Sequence, residues 1–450
     1  MRQLRSVVVT CLTCAVLLVC ARGVLHAQAV PPPVPAAAQG PQIDPETATQ
    51  AYLATMPPDR RARSDAYFEG GYWLQLWGFL ISVAIFVALL HSGLSARLRD
   101  VAARLSRRTW LQPALYGVAF VLITWAASLP WDIYTGFIRE HQYGLATQNF
   151  GGWFGDALKE LAISGVLTAI VLAIFYAVLR RTGRTWWLWG SLVTIAFLVF
   201  VATIGPVYIA PMFNTYTRLG DSPIRTRILS LAHANGIEAN DVFEVDASRQ
   251  STRVSANVSG MFNTMRITLN DNLLKRASPA AIEAVMGHEM GHYVLNHAYK
   301  MLLAFGVIIV VGLGLIARSF DRLAARYRAR WRVESVSDPA GLPLIMVLFT
   351  IYMFLLTPVV NTIVRTNEYE ADLFGLNAAR QPDGFAEAAL LLSDYRKMSP
   401  GPLEEIIFYD HPSGHTRIFT AMRWKAEQAN CGAAVPPAAS FPGMTAPCGQ

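Results

Sequence analysis

The sequence predicts an all-α polytopic membrane protein with a small α+β insertion. Three observations carry this. Hydrophobic residues make up 53% of the 450 and charged residues only 15%, where a soluble globule carries about 25% charged. Six apolar runs, about Tyr72–Leu94, Pro113–Trp131, Leu161–Leu179, Trp186–Ile209, Met301–Ala317 and Leu342–Val360, are each near the length that crosses a bilayer. Between the fourth and fifth runs lies a polar interval, 213–300, that mixes helical and strand-like patterning.

The chain in order supports each part. Residues 1–29 hold Arg2 and Arg5, an apolar run from Val7 to Cys20, and small residues around Ala27 and Ala29. This is the layout of a signal peptide, with an uncleaved first membrane anchor as the alternative. Residues 30–45, rich in Pro, Ala and Gln, read as a linker. Trp and Tyr gather at run ends (Tyr72, Trp73, Trp131, Trp186) as interface anchors do. The loops after runs one, three and five carry arginine clusters (Arg97 to Arg108, Arg180 to Arg184, Arg318 to Arg332), whereas loop 132–160 is mildly acidic. The positive-inside rule makes the arginine face cytoplasmic and puts the N-terminus, loop 132–160, the insertion and the C-terminal region outside. Cys431 and Cys448, the cysteines beyond the signal-like segment, are able to pair in that oxidising compartment or stand as idle thiols. A net charge of +7 fits loop anchors, and no phosphate loop or nucleic-acid motif appears, so no nucleic-acid partner is expected.

In the insertion, Ser222–Asn235 has helical periodicity and Asp241–Asp246 is a short strand candidate. Residues 254–258 and 265–269 alternate apolar and polar around Gly260 and read as a hairpin. An edge strand there is able to bind a peptide backbone by strand addition. Ser278-Pro279 opens a helix, hydroxyl cap then proline. That helix, expected over 279–297 and running on into the fifth run, carries His288-Glu289-Met290-Gly291-His292. Residues four apart share a helical face, so both imidazoles grip one metal ion, while Glu289 points aside and is free to take a proton from water. A catalytic zinc site needs a third protein ligand and an open position. Glu368 and Asp372, four apart after the sixth run, meet that need. Glu368 ligates, and Asp372 hydrogen-bonds a ligating imidazole from behind. His297, five residues past His292, lies off the ligand face and is expected to make a structural hydrogen bond. His411 precedes Pro412 and so sits in a turn or extended segment.

Leu129-Pro130-Trp131, Gln142-Tyr143-Gly144, Asn149-Phe150, Tyr208 to Phe213, Ser255-Ala256-Asn257, the stretch His288 to His297, Glu368 to Asp372, and His411-Pro412-Ser413 with Arg417 together resemble the type I CAAX prenyl proteases over about Ala66–Trp424. The chain is identified as a bacterial member of that family, integral-membrane zinc metalloendopeptidases of the gluzincin kind. The resemblance implies an α-barrel of six or seven spans around a water-filled chamber, with a zincin-like insertion facing it. It implies one zinc per chain on His288, His292 and Glu368, Glu289 as general base, Asp372 behind the ligands, Asn257 holding substrate backbone, and His411 and Arg417 steadying the oxyanion. Val364-Arg365 stands where the family has Ser-Arg.

The expected division is therefore 1–29 signal peptide or anchor, 30–71 linker and N-terminal region, 72–212 four spans, 213–300 metalloprotease insertion, 301–361 transmembrane hairpin, 362–428 C-terminal catalytic part, and 429–450 a Pro/Ala-rich tail. The expected activity is cleavage of membrane-associated or CAAX-like peptide and protein substrates at a bacterial inner membrane, with the site on the periplasmic side. A channel or transporter, or a silent scaffold, is the alternative reading of the same chain.

Overall fold

In the computed structural model of the chain, residues 43–259 and 265–430 are described. The signal-like segment and all five cysteines lie outside the described residues. Helices Pro58–His91, Leu111–Gln142 and His297–Arg326 are long and apolar enough to cross a membrane, as is the 63-residue stretch Phe150–Met212. A straight helix of that length extends about 95 Å, three times the hydrocarbon thickness. It turns instead at Gly183, with φ of +51°, so that Phe175 lies 3.0 Å from where a Cβ on Gly190 would sit. Helices Phe150–Thr182 and Trp186–Ile204 are thus two crossings joined tightly.

Three expectations need correction. The sixth run is not one helix: Pro339–Leu355 and Thr357–Ala379 meet at 58°. Pro358 lies in the first turn of the second piece, where its missing N–H and its ring are tolerated, whereas inside one continuous helix they would break it. Loop 132–160 is largely helical, with a π-turn at Tyr134–Ile138 and an Asn149 cap whose Oδ1 accepts from Gly152 N–H at 2.8 Å. Helix Pro279–Val294 does not run into the fifth span: Asn296 takes φ of 58° and His297 starts a new helix. Asparagine is among the few residues that visit the left-handed region readily.

The first crossing helix also begins at Pro58, earlier than its apolar run. Hydropathy marks the part at lipid depth, whereas the polar extension is held by partners elsewhere: Arg60 by Asp394 at 2.6 Å and Tyr67 by Glu140 at 2.6 Å.

The insertion forms a four-stranded sheet in the order β1 (Tyr216–Arg218), β2 (Val242–Val245), β4 (Arg266–Asn270), β3 (Ala256–Ser259). Strands β2 and β4 run parallel, β3 and β4 antiparallel as the expected hairpin. Strand β1 had no sequence signal beyond three residues. The 279–294 helix lays Ile282, Met286 and Met290 on a core with Val242, Ile267 and Leu269, which leaves its other face for the site. Connector 143–149 docks the insertion: Thr252 N–H donates to Leu145 carbonyl at 3.0 Å and Thr147 N–H to Gln250 carbonyl at 3.1 Å. At the far end the arginine loops clasp one another, Arg99 to Asp338 at 2.7 Å and Arg332 to Asp100 at 2.8 Å.

Helices Pro279–Val294 and Thr357–Ala379 approach backbone to backbone. A Cβ on Gly375 would meet His288 N at 2.7 Å, and one on Gly291 would meet Ala371 Cα at 3.2 Å. Gly375→Ala is expected to cost about 1–3 kcal/mol through overpacking and to lower the melting temperature in detergent. Gly165→Ala, with nothing within 4 Å of the added carbon, is expected not to.

Candidate metal centre and active-site cleft

Ser278 Oγ accepts from Ala281 N–H at 3.2 Å and so caps the 279–294 helix, while Glu387 accepts from Ser278 N–H at 2.9 Å. The start of the helix is thereby fixed, and with it the face that carries His288 and His292. The return helix brings Glu368 and Asp372 to the same face. His288 Nε2 lies 3.1 Å from His292 Nε2. Glu368 Oε2 lies 3.4 Å from His288 Nε2, and its Oε1 lies 3.4 Å from His292 Nε2. Donors bound at about 2.0–2.1 Å to a tetrahedral ion stand about 3.3 Å apart, so the three atoms fit a zinc ion. Among the described residues this is the group able to hold a metal, its donor atoms all within 4.8 Å of one another.

What lies behind the donors orients them. Asp372, 1% exposed, has Oδ1 2.8 Å from His288 Nδ1, at ion-pair distance. A proton held at Nδ1 leaves the Nε2 lone pair facing Glu368. His292 has a matching partner: its Nδ1 is 2.9 Å from His297 Nδ1, and His297 Nε2 is 3.1 Å from Glu370. His297 thus sits off the donor cluster and makes a structural hydrogen bond, as its spacing implies. Arg417 bridges the two buried carboxylates, donating to Glu368 Oε2 at 3.0 Å with its Nε 3.1 Å from Asp372 Oδ2. His411 follows the helix end at Phe408, in non-helical backbone, with Nε2 3.3 Å from Glu368 Oε2 and Nδ1 2.7 Å from Asp410.

The electrostatics match a cation site. Burial disfavours charge on His288, yet Asp372 and Glu368 outweigh it and raise its pKa to about 9. Burial and then the neighbouring His288 lower His292 to about 4. Glu289 is pushed up to about 7, chiefly by burial, a value suited to exchanging protons near neutrality.

The cleft is a cavity of about 300 Å³ lined by Glu289, His292, Glu368 and His411 together with Val254–Ala256 just before and within β3. Asn257 is the exception among the expected site residues. It is exposed on β3, paired in register with Thr268, and does not line the cavity. Tyr395 and Arg396 do line it. Sequence reasoning missed both, since an Asp-Tyr-Arg-Lys run in a loop carries no spacing signal.

Replacing Asp372 with Asn is expected to weaken zinc binding about 10–100-fold, as loss of a group behind a ligating imidazole commonly does. Competition with a chromogenic chelator measures it.

The comparisons with known proteins bear on family and fold. Residues 45–215 match the family model described as CAAX prenyl protease N-terminal, five membrane helices. Residues 218–425 match peptidase family M48. The chain is 29% identical over 387 residues to the uncharacterized metalloprotease YhfN of Bacillus subtilis, covering 86% of this chain and 89% of the relative. It is 28% identical over 319 residues to CAAX prenyl protease 1 of Saccharomyces cerevisiae, covering 67% and 69%. The crystal structure of S. mikatae Ste24p superposes with a TM-score of 0.70 at 21% identity over 84% of this chain and 94% of that one, a likeness of fold. The chain therefore belongs to peptidase family M48, on the type I CAAX prenyl protease branch, and is a multi-pass membrane zinc metalloprotease.

Proposed function

We propose that the chain hydrolyses peptide bonds of membrane-associated or CAAX-like protein substrates in the cleft beside Glu289, with one zinc per chain held by His288, His292 and Glu368. The observation that carries this is the meeting of three donor atoms from two helices some 80 residues apart in sequence, at spacings that fit a tetrahedral ion. Zinc bound there supplies Lewis acidity toward the scissile carbonyl and makes water more acidic.

The chain's own residues do the rest. Glu289 accepts the proton of the attacking water and returns it to the amine that leaves. Asp372 fixes the His288 ring, and His297 fixes the His292 ring. Arg417 pairs with Glu368 and Asp372 at once and holds the two carboxylates side by side. His411 Nε2, on the cavity wall, donates a hydrogen bond to the oxyanion that forms on the carbonyl. Asn257, exposed on edge strand β3, binds substrate backbone by strand addition as the peptide enters. The arginine loops face the cytoplasm of a bacterial inner membrane, with the cleft on the periplasmic side.

Glu289→Gln is expected to keep its zinc and lose cleavage of a quenched peptide by about 100- to 10,000-fold, the usual worth of general acid–base catalysis. A zinc-loaded variant of undiminished activity contradicts the mechanism. For sidedness, in a cysteine-free chain, a cysteine at Gly401 is expected to react with an impermeant maleimide applied from the periplasm, and one at Arg107 is not. The reverse labelling pattern inverts the topology.

A further inference from the structure

The loop Asp394–Lys397 crosses the cleft wall, and its side chains are committed within the protein with one exception. Asp394 sits between Arg60 at 2.6 Å and Arg276 at 2.5 Å. The Tyr395 hydroxyl reaches Val254 carbonyl at 3.5 Å. Lys397 pairs with Glu69 at 2.6 Å and Glu404 at 2.9 Å. Arg396 is fixed by its backbone, whose carbonyl accepts from Ser64 Oγ at 3.1 Å. Its guanidinium, on the cavity wall, makes no hydrogen bond or ion pair among the described residues.

This is an unusual place for a bare guanidinium. The other guanidinium of the wall, that of Arg417, is paired with Glu368 and Asp372. Burial, and then the like charge of Arg417, disfavour the cation at Arg396, while Tyr395, Asp410 and Glu368 favour it without a hydrogen bond to it. An arginine does not shed its proton in response. The side chain is half-buried and held by no hydrogen bond, and a planar five-donor fork on an anchored backbone matches a carboxylate bidentately. The cavity, at about 300 Å³, is at the small end for a ligand site. Whatever meets Arg396 is therefore close to the bond being cut.

We propose that Arg396 is the specificity-determining residue of the cleft and binds a carboxylate carried by the substrate close to the scissile bond. This rests on the proteolytic reading above and deepens it to a substrate class. A carboxylate has two sources in a peptide, the free C-terminus and an internal Asp or Glu side chain. The same bidentate pairing serves either.

The test uses the full chain in detergent, zinc-loaded, with a quenched octapeptide library made in three forms: free C-terminal acid, C-terminal amide, and C-terminal amide with one internal position fixed as Asp. Glu289→Gln is run beside the wild type to identify cleavage due to the site. Wild type is expected to cut one carboxylate-bearing form at least about tenfold faster than the plain amide, as kcat/KM, the gain of a charge-assisted pair. Preference for the acid form assigns the C-terminus, and preference for the Asp form assigns the side chain. Arg396→Gln is expected to lose that ratio through a raised KM, and Arg396→Lys to recover part of it. Both variants are checked for wild-type zinc content and melting temperature, and a ratio lost in Gln but regained in Lys excludes a folding effect. Equal cutting of all three forms by wild type, with Glu289→Gln inactive, overturns the assignment and leaves the protease reading standing. So does an Arg396→Gln variant that keeps the ratio. Failure of wild type to cut any form removes both.

Discussion

The site depends on one steric constraint: the backbones of the 279–294 and 357–379 helices must touch. Gly287, Gly291 and Gly375 allow it, since a Cβ at Gly375 would collide with His288 N at 2.7 Å. With the backbones that close, short side chains bridge them. Glu368 reaches both imidazoles, and Asp372 reaches the back of His288. The membrane hairpin and the 58° bend after Leu355 serve this contact by carrying the chain out, back and across. The glycines at the interface do in this protein what small residues do between membrane helices, which is to trade side-chain volume for approach.

Charge is the second constraint. Two buried carboxylates, Glu368 and Asp372, face one guanidinium, Arg417, in a small volume. Burial of unpaired charge is costly, so the negative balance favours a cation between His288 and His292. Arg396 stands on the same wall as a cation that Asp410 and Glu368 favour but that makes no hydrogen bond or ion pair among the described residues. One cleft thus holds a place for a metal and a place for an anion, and both kinds of group belong to substrate hydrolysis.

The chemistry-bearing parts of the fold were legible where they rest on local pattern. His288, Glu289 and His292 stand out by helical spacing, and Ser278-Pro279 marks their helix by cap chemistry. Five of the six apolar runs marked helices long and apolar enough to cross a membrane and the sixth proved broken, although hydropathy ended the first one at lipid depth and missed the polar turns that Arg60 and Tyr67 anchor. Glu368 and Asp372 were readable from their i,i+4 spacing once a third ligand was sought. The break at Asn296 was not, because a single left-handed residue leaves no periodic trace. Tertiary placement was least legible. Asn257, expected beside the substrate, stays on the exposed edge of β3 outside the cavity, while Arg396 reaches the wall only because its loop is pinned by residues from other helices.

The central claim is that His288, His292 and Glu368 form a single zinc site. X-ray absorption at the zinc edge of the purified full chain tests it most directly. The account predicts about one zinc per chain in a shell of nitrogen and oxygen at about 2.0–2.2 Å, with two imidazole signatures and no sulfur at about 2.3 Å. A sulfur-containing shell, a single imidazole, or an unchanged spectrum in His292→Ala would contradict it.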